Sequence, residues 1–553
     1  MNDRLDAGAR DQVKAYHLRT QHQLQRFAAG PDTLDWDAQP DPFRQWPGAP
    51  EWPLPLVADT FTPTWQDLFT PGKISPQPLT LRSVAALLEL CLGLTAWKQF
   101  GPDRWALRAN PSSGNLHPTE GYVRTQGVQG LGDGLYHYAP REHALLCRAE
   151  VPRQEDVAPP RLWVGLSSIQ WREAWKYGER AFRYCELDIG HALGALRYAA
   201  AVLGWQAKVV TGLSHAEVAA ALGLDRDADF GPAEREEPEL LVAVGPDLGE
   251  SPEAPLSWAD GTRWHGQASR LDRHPMYRWP VIDEVTRASR GASLAGAVPA
   301  PGELRAHVAA SAGGPSPATR GDVPAATLIR QRRSAQHFDR RGQMSLDAFM
   351  RLLAAVMPSA GLPWDCWPLA PRVHAVVYAH RVEGLTPGAY VLPRREAGLA
   401  MLRQCLQSGQ SWMPAPEAPA GVPLHCLVTH PTLSGTLRTL SCHQAIASDA
   451  CLAVSLVAEF DGPLTEQPAA YRSLYQEAGL IGQVLYMQAE AEGFRGTGIG
   501  CYFDAAVHEW LGMPDERMQV LYHFTVGVPV VDARITTEPP YAHLDLESRK
   551  DAT

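Results

Sequence analysis

Phe182-Arg183, Gly190, Leu196 and Gly204-Trp205 recur further along the chain as Tyr471-Arg472, Gly479, Leu485 and Gly493-Phe494. The spacing is constant, since 471 − 182 and 493 − 204 both give 289. Around the first set, Ala and Leu recur at helical spacing, which predicts a long helix over 181–203. Upstream, Leu81 matches Leu346 and Leu87-Leu88 match Leu352-Leu353 at a shorter offset (346 − 81 = 265), and Gly134-Leu-Tyr136 answers to Gly388-Ala-Tyr390. Self-similarity over this length predicts one domain present twice, each copy built on its own long helix. A chain of 553 residues is in any case too long for one ordinary core.

Each copy mixes helix and strand patterns. An amphipathic helix is predicted over 79–90, and strand-like runs follow at 121–124, 134–138, 162–168 and 240–245. A polar helical pattern occupies 11–27, and the residues after it are rich in Pro and Trp. The expected divisions are a wrapping segment over 1–70 with tryptophans as anchors, a first domain over 71–250, a connecting segment over 251–325 and a second domain over 326–553. Between Ala292 and Ala326 the composition turns to Ala, Gly, Pro and Ser, as in a linker.

Composition excludes several classes. A net charge of −11 gives no global field for nucleic acid. No apolar run approaches membrane-spanning length, and the first residues lack the apolar core of a signal peptide. Nine cysteines without a CxxC pair argue against a disulfide framework or a structural zinc site, and for reduced thiols in the cytoplasm. No metal site is expected, and no glycine-rich dinucleotide fingerprint follows a strand.

The two copies are unequal. Copy one carries Pro111-Ser112-Ser113-Gly114-Asn115, a turn of small hydroxyls and backbone donors able to hold a planar polar ligand. Extending the Tyr136/Tyr390 match without gaps sets Leu369 opposite Asn115, so copy two lacks this loop. Copy two instead has Gln331-Arg332-Arg333-Ser334, whose guanidinium forks and hydroxyl near a helix start suit a phosphate. At the 265 offset copy one has Asp67-Leu68-Phe69, with no positive charge. Each copy alone holds half of a site.

Other positions admit ordinary readings. His191 reads as a hydrogen-bonded core histidine, and Arg180 and Arg183 as partners of Glu179, Glu186 or Asp188. Glu234-Arg-Glu-Glu237 reads as a solvated charged surface. Lys176-Tyr177 has two readings, a packed aromatic and charged helix face or a pair that exchanges a proton. The second requires pKa values near 10 to be lowered, by burial for Lys or by a neighbouring cation for Tyr.

These residues in this order resemble the FMN-dependent nitroreductase superfamily, in its branch of peptide azoline dehydrogenases (the SagB/ThcOx type). The resemblance runs through Pro111-Ser-Ser-Gly-Asn-Leu-His-Pro118, Lys176-Tyr-Gly-Glu-Arg180, Phe182-Arg-Tyr184, Asp188-Ile-Gly-His191 and Gln331-Arg-Arg-Ser334. Tyr16-His17, Thr20, His22 and Leu34-Asp-Trp36 also take part in it. It implies an α+β fold of two fused nitroreductase-like domains, each a mixed sheet flanked by helices, forming an intramolecular pseudo-dimer. It further implies FMN bound between them by Pro111, Ser112, Ser113 and Asn115 of one copy and Arg332, Arg333 and Ser334 of the other. Gly498 and Gly500 would lie beside the flavin ring, Arg534 would be a late phosphate contact, and Lys176 with Tyr177 would act in proton transfer. The implied activity is dehydrogenation of thiazoline- or oxazoline-like peptides, with other modification-complex proteins as possible partners. The alternatives are an NAD(P)H-dependent nitro or quinone reductase and a non-catalytic flavin-binding subunit.

Overall fold

A computed structural model of the chain describes residues 2–152, 159–249, 253–292, 294, 318–406, 412–419 and 421–545. Most of the linker expected between Ala292 and Ala326 lies outside these residues. Two large sheets form the frame, and their strands follow one another in the same spatial order. In the first the order is Glu51–Pro53, Ala144–Glu150, Gly134–Ala139, Thr119–Gln126, Arg161–Ser168, Glu237–Gly245 and Gln206–Val209. In the second it is Met413–Pro414, His425–Thr429, Gly388–Leu392, Val373–Ala379, Leu452–Glu459, Met518–Gly527 and Arg495–Ile499. Every strand pair in both is antiparallel, which corrects the expectation of mixed sheets. Short returns such as the one from Thr119–Gln126 to Gly134–Ala139 allow antiparallel pairing, whereas parallel neighbours need a long crossover.

The helices predicted over 79–90 and 181–203 form close to their expected bounds. Leu81–Cys91 begins at a capping box between Thr80 and Ser83, and its counterpart Leu346–Ala355 begins under the hydroxyl of Ser345. The long helices are Ala181–Val202 and Ala470–Ala491, each of 22 residues and buried all round. They cross where Gly190 meets Gly479. A Cβ placed on Gly190 would lie 2.0 Å from the Gln476 carbonyl oxygen, and one on Gly479 2.0 Å from that of Leu187. Only glycine permits this backbone approach. Nearby, Phe182 and Tyr471 stack with ring centroids 6.0 Å apart.

The arginines that follow those two rings each reach into the opposite half. Arg183 pairs with Asp504 at 2.9 Å, joined there by Arg180 at 3.0 Å. Arg472 meets Glu186 at 3.0 Å, Glu237 at 2.8 Å and Glu239 at 3.2 Å. Two expectations are corrected here. The partner of Arg180 and Arg183 is Asp504, while Glu179 pairs with Arg19. The run 234–237 is not a solvated surface either, because Glu236 and Glu237 are buried and Glu237 serves Arg472. Charges so deep in a protein survive only when paired, and their partners are distant in sequence.

Both chain ends tie the halves together. The first helix is Asn2–Arg19 rather than 11–27. Its Tyr16 hydroxyl donates to the Glu179 carbonyl, and its His17 ring bonds Tyr471 and Gln519. Of the early tryptophans, Trp46 and Trp65 are buried anchors, while Trp36 and Trp52 are exposed. At the other end, Thr536–Glu538 pairs with Leu94–Phe100, which itself pairs with Asp103–Arg108. The backbone N–H of Leu94 also donates to the Tyr541 hydroxyl at 2.8 Å. Among the described residues, no helix is long and apolar enough to cross a membrane.

Candidate active site

A cavity of about 510 Å³ opens at the seam between the halves. The first half contributes Asn110 to Asn115, together with Lys98 and Tyr177. The second contributes Arg332, Arg333, Ser334, Arg495, Gly498 and Gly500. The loop and the basic motif assigned to different copies therefore face one space. A larger cleft of about 1470 Å³ lies elsewhere, beside Trp171, Trp279 and Arg290. Arg290 on its wall is paired with Glu237 at 2.6 Å.

The loop is held from behind by two buried acids. Ser113 donates its backbone N–H to Asp188 at 3.2 Å, and Ser112 lies 3.5 Å from Glu173 while accepting from the His117 N–H at 2.8 Å. Burial pushes the Asp188 carboxyl up to about 8 against the pull of the Ser112 and Ser113 hydrogen bonds. Burial and the neighbouring Asp188 push Glu173 up as well. Gly114 (φ 60°) and Asn115 (φ 61°) both adopt the left-handed conformation. At Gly114 a Cβ would lie 2.4 Å from the Tyr177 hydroxyl, so this glycine makes room for Tyr177 over the loop. The Asn115 side chain bonds the Ala106 carbonyl at 2.9 Å and His117 at 3.1 Å, so its role is to set the loop's shape.

The opposite wall is basic. Arg332 lies 5.0 Å from the Tyr486 ring centroid and donates to the Arg108 carbonyl, and Arg333 donates to the Thr95 carbonyl. Burial lowers Arg333 to about 9, with Arg332 and Arg495 adding to the shift. Burial, Arg333 and Arg495 likewise lower Lys98. Cations that depress one another in this way suit an anion placed among them. The carboxylate nearest this group is Glu490, 3.9 Å from Arg495 and itself pushed up by burial. The Ser334 hydroxyl is 2.8 Å from that of Tyr486, which also accepts from the Gly498 N–H at 3.0 Å. Gly498 and Gly500 leave room for rings behind them, since Cβ atoms there would meet Tyr522 and Tyr184.

Buried polar atoms in proteins are nearly always bonded. On this cavity's wall both side-chain amide atoms of Asn110, Nδ1 of His117 and Nε of Arg332 have no partner among the described residues. That pattern fits a polar ligand that completes them.

The remaining expected residues divide. Tyr177 lines the cavity, and burial, followed by Glu173 and Tyr184, raises its phenol well above the ordinary value. The lowered tyrosine that a base would need is thus not formed, and the hydroxyl stays a donor. Lys176 sits just outside the lining, its Nζ 5.4 Å from the Tyr177 ring centroid and 5.5 Å from that of Trp36. Burial lowers its pKa, opposed by Glu173. His191 also lines the cavity; it is buried, 3.1 Å from the Tyr522 hydroxyl and lowered to about 3 by burial. Arg534 does not line the cavity. It is largely exposed and bound to Asp532 at 2.7 Å, a carboxylate two residues away that captures it locally.

Lys98 and Arg495 were not singled out from the sequence. Lys98 arrives on a hairpin with no counterpart in the pattern reading. Arg495 was legible, because at the 289 offset it faces Gln206 and marks one more inequality between the copies.

Fold and cavity together define a two-sheet α+β protein with one composite, anion-adapted site. Residues 329–528 match the model of the nitroreductase family. A crystal structure of a protein described as a nitroreductase from Anabaena variabilis superposes with a TM-score of 0.66 at 22% identity, covering 94% of this chain and 99% of that one. The overall fold is therefore nitroreductase-like. A protein of Methanocaldococcus jannaschii named as a nitroreductase is 28% identical over 137 residues, which is 23% of this chain and 66% of that relative's length.

Proposed function

We propose that the chain is an FMN-dependent oxidoreductase with a single flavin site built across two fused nitroreductase-like domains. Its most specific reading is a dehydrogenase of thiazoline- or oxazoline-like peptides in the cytoplasm. The observation that carries the flavin reading is the meeting of Lys98, Arg332, Arg333 and Arg495 opposite the Pro111 to Asn115 loop in one cavity. The basic group and Ser334 would hold the phosphate, and the loop with Gly498 and Gly500 would border the ring. Bound FMN supplies hydride acceptance and return. Lys176 takes the substrate proton, with the Tyr177 ring beside it and the Tyr177 hydroxyl over the loop at Gly114.

The dehydrogenase reading rests on Lys176-Tyr177, which has Thr465-Glu466 at the matching offset of the second half. The name borne by the relatives favours a second reading, reduction of nitro or quinone compounds by NAD(P)H. A flavin subunit without its own catalysis is the third. Steady-state assays separate them, since a dehydrogenase reduces its flavin with an azoline peptide and without a nicotinamide.

Purified protein is expected to carry about one FMN per chain. Arg332→Ala with Arg333→Ala should release it, because each lost charged hydrogen bond costs roughly 1.5–3 kcal/mol. Asp67→Ala should retain it, as Asp67 only accepts the Thr64 N–H in a local turn. Flavin absorbance after desalting reads all three. Equal retention by both variants, or two tight flavins per chain, would refute the composite site.

A further inference from the structure

Cys442 lies in the turn between the helices Leu433–Leu440 and Ala445–Asp449. Cys501 lies on the link from strand Arg495–Ile499 to helix Asp504–Leu511. Their Sγ atoms are 2.7 Å apart, inside van der Waals contact for two sulfurs, yet both are free thiols. A disulfide bond measures about 2.05 Å, so closure requires a movement of under about 1 Å.

The surroundings hold this arrangement in place. Cys442 (φ 53°) and His443 (φ 59°) are consecutive left-handed residues without a glycine, a backbone that persists only where its neighbours impose it. The Gln444 amide donates to the carbonyls of both Ser441 and Cys501 at 3.0 Å, linking the two segments. The Ser441 hydroxyl is fixed on His523 at 3.2 Å. The contact with Cys442, and then that with His22, holds the Cys501 thiol below its ordinary pKa, with Arg180 adding to the effect and burial opposing it. Burial lowers the pKa of His22, opposed by Cys501 and Asp504. Asp504, paired with Arg180, is the nearby acid. Cys501 also lines the seam cavity, next to Gly500.

We propose that Cys442 and Cys501 form a reversible disulfide, a modification site in the wall of the seam cavity whose redox partner is a small-molecule disulfide. The Cys501 thiolate attacks one sulfur of the partner, forming a mixed disulfide and expelling one thiolate. Cys442 then loses its proton and attacks the Cys501 sulfur, expelling the second. Two protein thiols are oxidised, one disulfide is reduced to two thiols, and the two protons pass to the leaving groups. Cys501 lines the seam cavity and Cys442 does not, so Cys501 is the sulfur placed to meet the partner first. Nothing in these steps needs a bound flavin, so the inference stands apart from the proposed activity.

The test uses full-length protein incubated with oxidised glutathione, quenched, alkylated and mapped by mass spectrometry. A cross-linked Cys442–Cys501 peptide is expected, lighter by two hydrogen atoms than the reduced pair and restored by dithiothreitol. Cys442→Ser should instead accumulate a stable glutathione adduct on Cys501. Wild-type protein in which both thiols remain alkylatable, or in which glutathione persists on Cys501 without the cross-link, would overturn the proposal. The wild-type map decides the matter if the variant fails to fold.

Discussion

Lys176→Ala is expected to slow substrate-driven flavin reduction by roughly 100- to 10,000-fold, the usual contribution of a general acid or base. The side chain sits between the rings of Trp36 and Tyr177, and its pKa is lowered by burial. A lowered lysine has a larger neutral fraction near physiological pH and can accept a proton there. The reductive rate of the wild type should rise with pH through an apparent pKa below the ordinary lysine value, and that limb should be missing in the variant. Flavin content and Tm should stay close to wild type, since among the described residues the ammonium forms no ion pair. Stopped-flow flavin bleaching measures the rate. A variant that keeps its rate, or that loses flavin instead, would make Lys176 a packing residue.

Asp504→Ala should destabilise the fold by about 3–5 kcal/mol, the cost of removing one partner from a buried ion pair. The carboxylate is fully buried and compensates Arg180 and Arg183 together. It also accepts the backbone N–H of His22 at 2.9 Å. Urea unfolding of wild type and variant, at fixed flavin loading, gives the difference. The pH dependence follows the same pair. Burial pushes Asp504 up, but Arg180 and Arg183 outweigh it and hold the carboxyl well below the usual range. A folded pKa below the unfolded one means that the contribution is present above the unfolded pKa of about 4 and is lost as the pH falls toward the folded value. Asp504→Asn should therefore flatten the acid side of the stability curve. An unchanged acid limb would show that other carboxylates dominate it.

The long helices and their crossing were the most legible part of the fold. Each is 22 residues long with Ala and Leu recurring at helical spacing, and the shared offset already placed Gly190 opposite Gly479 in the pattern. The inequality of the copies was legible for the same reason, because a missing motif shows up against its duplicate. Pairings made by tertiary contact were not. Asp504 carries no local mark that it answers Arg180 and Arg183, more than 320 residues away. The hairpin that brings Lys98 into the cavity is completed by a strand from the far end of the chain, which no window of neighbours can register. For Arg534 the sequence showed a basic residue after the last strand, but not that Asp532 two residues away pairs with it. The two cysteines were read by spacing alone, and 59 residues of separation concealed that they touch.

The exchange of chain ends has a consequence for any attempt to divide this molecule. The strand Thr536–Glu538 belongs by sequence to the second half but completes a sheet of the first, and Tyr541 anchors the backbone of Leu94 there. The opening helix, in turn, bonds Tyr471 and Gln519 of the second half. A gene split between the halves would give one fragment with an orphaned edge strand and another whose His17 side-chain partners had gone with its sibling. Neither half keeps these hydrogen bonds when expressed alone, and truncations meant to isolate either sheet should begin from co-expressed fragments.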